Sequence, residues 1–201
     1  MSIIIISSSQ RLDSQSFKVS HYIQKNLKTD FEVDSTIIDL AQIQLPMWTD
    51  HKNSKEIQEK AWQKIKPILK DAFGYVIVTP EWSGGITPAL KNFFLYCTDQ
   101  ELTDKPAYLV SVTASYTGGN LPLAELRQSC FKNTQICYIP EQMIIRSVKH
   151  VLNDPNPNTD EDSYTRARLQ YGLNIFLHYV SCLINIREES IRDLKNFPYG
   201  M

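Results

Sequence analysis

The sequence predicts an α/β fold, a doubly wound five-stranded parallel sheet in the order 2-1-3-4-5 with helices on both faces. Three observations carry this. Short β-branched runs such as Ile3–Ile6 and Tyr75–Val78 are apolar at every residue, as strands buried on both faces are. Each run is followed by a segment whose apolar residues recur at helical spacing. Polar or glycine-paired loops join strand to helix after the first, third and fourth strands, the end of a parallel sheet at which ligands bind.

In chain order, residues 1–7 read as the first strand and 14–28 as a helix, with Val19, Tyr22, Ile23 and Leu27 on one face. Residues 31–40 supply a second, partly alternating strand, and 43–50, containing Leu45-Pro46-Met47, form a connection with apolar content. Helix two is expected over 54–71, with Ile57, Ala61, Ile65, Ile68 and Leu69 along its core stripe and Pro67 kinking it or restarting a turn. The third strand leads through Pro80-Glu-Trp-Ser-Gly-Gly85 into a helix over 86–96. A fourth strand spans 107–113, a fourth helix 121–131 and a fifth strand 135–139. After the turn-rich stretch 153–162, Leu169, Leu173, Phe176, Leu177, Val180 and Ile184 mark a long amphipathic helix. Residues 1–201 are expected to form one domain, with 163–201 as its C-terminal helical part.

The formal charge of -1, from 21 basic and 22 acidic residues, gives no electrostatic reason for nucleic acid or an anionic membrane as partner and favours a small molecule. The N-terminal apolar run lacks a basic lead and is far shorter than the ~20 residues that span a bilayer, so a cytoplasmic location is expected. Cys97, Cys130, Cys137 and Cys182 include no C-x-x-C pair and read as small buried thiols. The four histidines are scattered, and no metal site is expected.

If the strand order holds, the loops after strands one and three face each other across one crevice. The first, Ser7 to Ser16, offers hydroxyls, the Arg11 guanidinium and the free N–H groups of a helix N-terminus, which together suit a phosphate. Simple capping by Asp13 or Ser14 beside a solvated Arg11 is the alternative. Neither G-x-x-x-x-G-K-[ST] nor G-x-G-x-x-G is present, which argues against a nucleoside triphosphatase and a dinucleotide Rossmann site. The paired glycines Gly84 and Gly85 allow close backbone approach to a ligand. A third loop, Thr113-Ala-Ser-Tyr-Thr-Gly-Gly-Asn120, again ends in paired glycines before a helix.

These residues resemble the NADPH-dependent FMN reductases of the flavodoxin-like superfamily, which includes quinone, azo-dye and chromate reductases. The signature S-x-R-x-x-S-x-[NS] is met by Ser9, Arg11, Ser14 and Ser16. Pro80-Glu-Trp running on to Leu90-Lys-Asn92 is similar to that family's second motif, Asp39-Leu40 with Leu45-Pro46 to its D-L…L-P element, and Gly118-Gly119 with Leu126-Arg127 to its G-G…L-R segment. The resemblance implies FMN as cofactor, NADPH or NADH as donor and a small electron-poor acceptor such as a quinone, with donor and acceptor using the same face in turn. The phosphate would lie on Ser9, Ser14, Gln15 and Ser16 with Arg11 balancing charge, and the ring on Pro80, Glu81, Trp82, Ser83, Gly84 and Gly85. Ser115, Gly118 and Gly119 would approach from the opposite side. No side chain is assigned as catalytic acid or base, since the cofactor carries the chemistry.

The chain departs from the family in having Ser8 where a glycine is frequent, Ser83 where asparagine is common, and a short 114–117 loop. Glu81 and Lys91 read as a carboxylate bonded to main chain and a solvated helix lysine. The resemblance also implies a homodimer or homotetramer, to which the aromatics Phe93, Phe94, Tyr96, Tyr164, Tyr171 and Tyr179 add weak support. A flavodoxin-type electron carrier and a flavin-free scaffold are the rival readings; near-neutral charge counts against an electrostatically docked carrier.

Overall fold

In a computed structural model, which describes residues 2–98, 100–189, 192–193 and 195–197, five parallel strands pair in the order β2-β1-β3-β4-β5. They are β1 (Ser2–Ser7), β2 (Asp34–Asp39), β3 (Gly74–Pro80), β4 (Pro106–Val112) and β5 (Cys137–Ile145). The helices are α1 (Gln15–Phe31), α2 (Leu40–Ile43), α3 (Lys55–Trp62), α4 (Lys66–Lys70), α5 (Pro88–Tyr96), α6 (Asn120–Gln128), α7 (Phe131–Thr134) and α8 (Asp160–Glu188), with a 3-10 turn at Lys52–Ser54. The fold class and strand order expected from sequence are those observed. Residues 1, 99, 190, 191, 194 and 198–201, which include the ends of the expected first strand and C-terminal part, lie outside the described residues.

Alternation within the buried strands builds two cores. Ile3 and Ile5 of β1, with Val76, Val78, Tyr108 and Val110, pack under α1 and α8, against Val19, Ile23, Leu173 and Phe176. Ile4 and Ile6 face the opposite layer, with Ile77, Leu109, Leu90, Phe93 and Leu126. Strands covered on both faces need apolar residues at every position, which is why β1, β3 and β4 were legible as unbroken runs. Helix α8 lies close on the sheet because Gly172 has no side chain: a Cβ there would come 2.2 Å from Tyr108 Oη. No helix among the described residues is long and apolar enough to cross a membrane.

The structure corrects several elements. The expected helix over 54–71 is two, α3 and α4, and α4 restarts with Pro67 in its first turn, where a missing N–H costs nothing. The break resets the helical phase, so Ile57 and Ile68 are 64% and 41% exposed, while Trp62, absent from the expected stripe, is 4% exposed against Phe93 and Tyr96. The expected helix over 121–131 ends at Gln128, and Cys130 at φ 68 turns the chain into α7. Strand five runs on to Ile145 instead of stopping at 139. Pro140 cannot donate to a ladder, and the pairing slips there, Ala107 facing Tyr138 but Leu109 facing Gln142. Of the four cysteines only Cys97 is buried; Cys130 and Cys137 are half-buried and Cys182 is exposed. Phe93, Phe94 and Tyr96 are absorbed by the core, leaving Tyr164 and Tyr171 exposed.

Candidate active site

Strand β1 pairs with β2 on one side and β3 on the other, so the chain reverses direction across the sheet at this point. The loops leaving β1 and β3 are consequently neighbours at the carboxyl edge. They are tied together: Ser8 N donates to Val78 O at 3.0 Å, and Thr87 Oγ1, the N-cap of α5, donates to Ser8 O at 2.6 Å. Ser8 keeps a negative φ, so serine is accommodated where a glycine is frequent in similar chains.

A crevice of about 390 Å³ opens above these loops. Of the residues expected from sequence, Ser9, Arg11, Ser14, Gln15, Ser16, Pro80, Glu81, Trp82 and Ser115 line it. Asp13, Thr113 and Ala114, from the first and third candidate loops, line it as well, and so do Val112, Val148 and Lys149, which were not anticipated. Val148 and Lys149 follow β5, whose true end at Ile145 was missed, so nothing placed them at this edge. Ser83, Gly84, Gly85, Gly118 and Gly119 are not in the lining.

At one end of the crevice the N-terminus of α1 is open. Ser14 caps the helix, its Oγ accepting from Phe17 N at 3.0 Å, and Ser9 Oγ accepts from Arg11 N at 3.2 Å. Both hydroxyl protons stay available to an acceptor. Ser16 is 1% exposed, yet its Oγ has no hydrogen-bond partner, and neither does Gln15 Oε1. Buried polar atoms are rarely left unpaired, so two at a helix N-terminus mark a place for a ligand. Lys149 adds a second cation beside Arg11, opposed by Asp13.

At the other end, Arg11 lies 5.3 Å over the Trp82 ring, bridging the loops that follow β1 and β3. Trp82 and Gly85 exchange two backbone hydrogen bonds of 3.0 Å, closing a tight turn whose tip residues, Ser83 and Gly84, have φ 48 and 76. Their N–H groups make no hydrogen bond among the described residues. Glu81, expected to bond to main chain, accepts from Gly119 N. Gly119 itself, at φ 97, is required by packing: a Cβ would stand 2.3 Å from Ile144 Cγ2. Lys91 is exposed on α5. Among the described residues no three His, Cys, Asp or Glu side chains gather as a metal site would need.

A family model for NADPH-dependent FMN reductases matches residues 1–150. The chain belongs to the NADPH-dependent FMN reductase family. It is an oxidoreductase that uses FMN and a nicotinamide donor to reduce small acceptors. An NADPH azoreductase from Bacillus sp. (strain OY1-2) is 26% identical over 145 residues, 72% of this chain and 76% of that protein. FerB, a flavoenzyme NAD(P)H:(acceptor) oxidoreductase from Paracoccus denitrificans, superposes with a TM-score of 0.67 at 17% identity, covering 90% of this chain and 97% of that one. An NAD(P)H:quinone oxidoreductase from Methanothermobacter marburgensis gives 0.61 at 12% identity, covering 87% and 98%. At these identities the two structural likenesses speak for the fold, while the family match, ending at residue 150, leaves α8 outside it.

Proposed function

We propose that the crevice binds FMN and that quinone-like or other small electron-poor molecules are the acceptors, with Ser9, Arg11, Ser14, Gln15 and Ser16 on the phosphate and Pro80 to Gly85, Ser115, Gly118 and Gly119 around the ring. The observation that carries this is the open α1 N-terminus with its unpartnered, buried Ser16 hydroxyl, set across from the β3 turn. The residues fit the group. The phosphate would satisfy the orphaned hydroxyl and the free helix N–H groups, and Arg11 and Lys149 would offset its charge. The bare N–H groups of Ser83 and Gly84 suit a polar ring edge, and backbone donors fixed in place stabilise negative charge developing there without reorganising. Bound FMN would supply the electron transfer from NAD(P)H to the acceptor. The chain's residues orient it, balance its charge and exclude water.

The azoreductase likeness and the family match support electron-poor aromatic acceptors. A nicotinamide donor, an intracellular reductant, supports a cytoplasmic location. We also infer a homodimer or homotetramer: Met47, Trp48 and Leu95, at 70%, 44% and 48% exposure, stand on or beside α5, where Asn92 holds the 45–48 segment. Light scattering giving a clean monomer would remove that inference.

The decisive experiment is flavin retention followed by anaerobic reduction with NADPH and then NADH. The purified protein should be yellow and bleach with one or both. FMN bound tightly but reduced by neither would make the chain an electron carrier, and no thermal shift with FMN would make it a flavin-free scaffold.

A further inference from the structure

The two glycine turns at the ring end are not merely near each other. Glu81 leaves β3 and its carboxylate accepts from Gly119 N, in the turn that follows β4. Glu125, on α6 beyond that second turn, sends Oε2 back to Ile86 N at 2.8 Å, in the loop that follows β3. The β3 loop thus supplies a carboxylate to the β4 turn, and the helix that follows that turn supplies one back to the β3 loop. A glycine makes room at each contact: a Cβ on Gly118 would come 3.0 Å from Glu81 Oε2, and one on Gly85 would come 2.6 Å from Glu125 Oε2. Arg146 Nε donates to Gly118 O at 3.1 Å, holding the second turn from behind.

The hydrogen bonds join residues 38 and 39 positions apart and are charge-assisted, the stronger kind. They consume the donors of Gly119 and Ile86 within the protein, so those groups are unavailable to a ligand. Their effect on a ligand is therefore indirect. We propose that Glu81 and Glu125 are reciprocal positioning residues that lock the β3 and β4 turns together, so that the ring half of the cofactor site is set before flavin arrives. This rests on the FMN reading of the crevice, but the lock itself is a property of the free protein.

Two measurements separate them. Amide hydrogen exchange on the ligand-free protein reads the lock. Glu125→Ala should speed exchange at Ile86 at least tenfold and, because the pair is reciprocal, speed Gly119 as well, while Glu125→Gln, which keeps a carbonyl acceptor, should restore most of the protection. Unchanged exchange at Ile86, or a change there that leaves Gly119 untouched, would overturn the lock whatever the protein binds. Titration with FMN and with riboflavin then reads the consequence. Glu125→Ala should weaken both by the same factor, about tenfold, since the two ligands share the ring and differ at the phosphate.

Gly85→Ala is the second variant. Its added methyl meets only the end of the flexible Glu125 side chain, so it should displace that carboxylate at unchanged melting temperature and reproduce the tenfold loss for both flavins. Loss confined to FMN, or loss only in variants that melt earlier, would reduce the two glutamates to a structural role. Intact protection at both amides in a wild-type protein that binds neither flavin would instead sink the functional reading and leave the lock standing.

Discussion

Two buried polar clusters at opposite edges of the sheet are paired to different degrees. At the carboxyl edge, Ser7, Ser8 and Ser16 Oγ, Gln15 Oε1 and Asp39 Oδ2 are buried without a partner. At the amino edge, Tyr75 Oη sits 2.6 Å from Leu69 O and 2.9 Å from Glu101 O, and Lys105 Nζ donates to Leu69 O at 2.9 Å and Lys70 O at 2.6 Å. Glu101 accepts there from Thr98 N and Oγ1, with Lys66 Nζ 3.8 Å from its other oxygen. The Tyr75 and Lys105 hydrogen bonds cap α4 and hold the scaffold, although Glu101 Oε1 makes no hydrogen bond. The unpaired groups at the N-terminus of α1 are the ones the proposed phosphate would complete.

The largest expected effect lies at the amino edge. Lys105 is 4% exposed, and burial first, then the nearby Arg187, pulls its amine down to about 8 from 10.5. Below that pH the lysine is charged in both folded and unfolded chains, and the fold bears the full cost. As pH rises from about 8 to 10.5 the folded chain sheds the proton before the unfolded one, so stability should climb, by about 3 kcal/mol over the whole window. Burial pushes the Tyr75 and Cys97 groups up, which opposes the gain at high pH, because unfolded tyrosines and cysteines ionise first. Denaturation of wild type against Lys105→Met at each pH isolates the lysine. A difference between them that stays flat through this window would show that the buried amine carries no such cost.

The next two substitutions form a crossed pair. Tyr75→Phe removes a hydroxyl shared by two buried carbonyls and should cost about 1.5 kcal/mol of stability in urea while leaving FMN affinity unchanged. Ser16→Ala removes an orphaned hydroxyl and should leave stability within about 0.5 kcal/mol, but weaken FMN about tenfold and riboflavin hardly at all. If Ser16→Ala destabilised the free protein, or weakened riboflavin equally, the carboxyl edge would not be waiting for a phosphate.

The same contrast explains what the sequence disclosed. The proposed phosphate end is local: Ser9, Arg11, Ser14 and Ser16 lie within one loop and one helix start, where capping chemistry and spacing can be read directly. The unbroken apolar strands were legible for the same reason. Glu125, Arg146 and Lys149 reach the site only through strand order and the slipped register of β5, and no local pattern announces them. The α3–α4 break was half legible. Pro67 marked it, but the phase reset that buries Trp62 and exposes Ile57 depends on packing against α5.

The smallest expected effect tests whether the turn tip acts through its backbone or its side chain. Ser83 adopts φ 48, a left-handed conformation that costs ordinary residues ~1–2 kcal/mol and that asparagine tolerates better. Ser83→Asn should therefore stabilise the free protein by roughly 0.5 kcal/mol, a part of that cost. The backbone N–H survives the change, so if the Ser83 main chain is what a flavin ring meets, FMN affinity should hold or improve slightly with the better-formed turn. A fall in FMN affinity at raised stability would show instead that the serine hydroxyl makes the contact, and that this chain reads the ring with a side chain where the backbone would have sufficed.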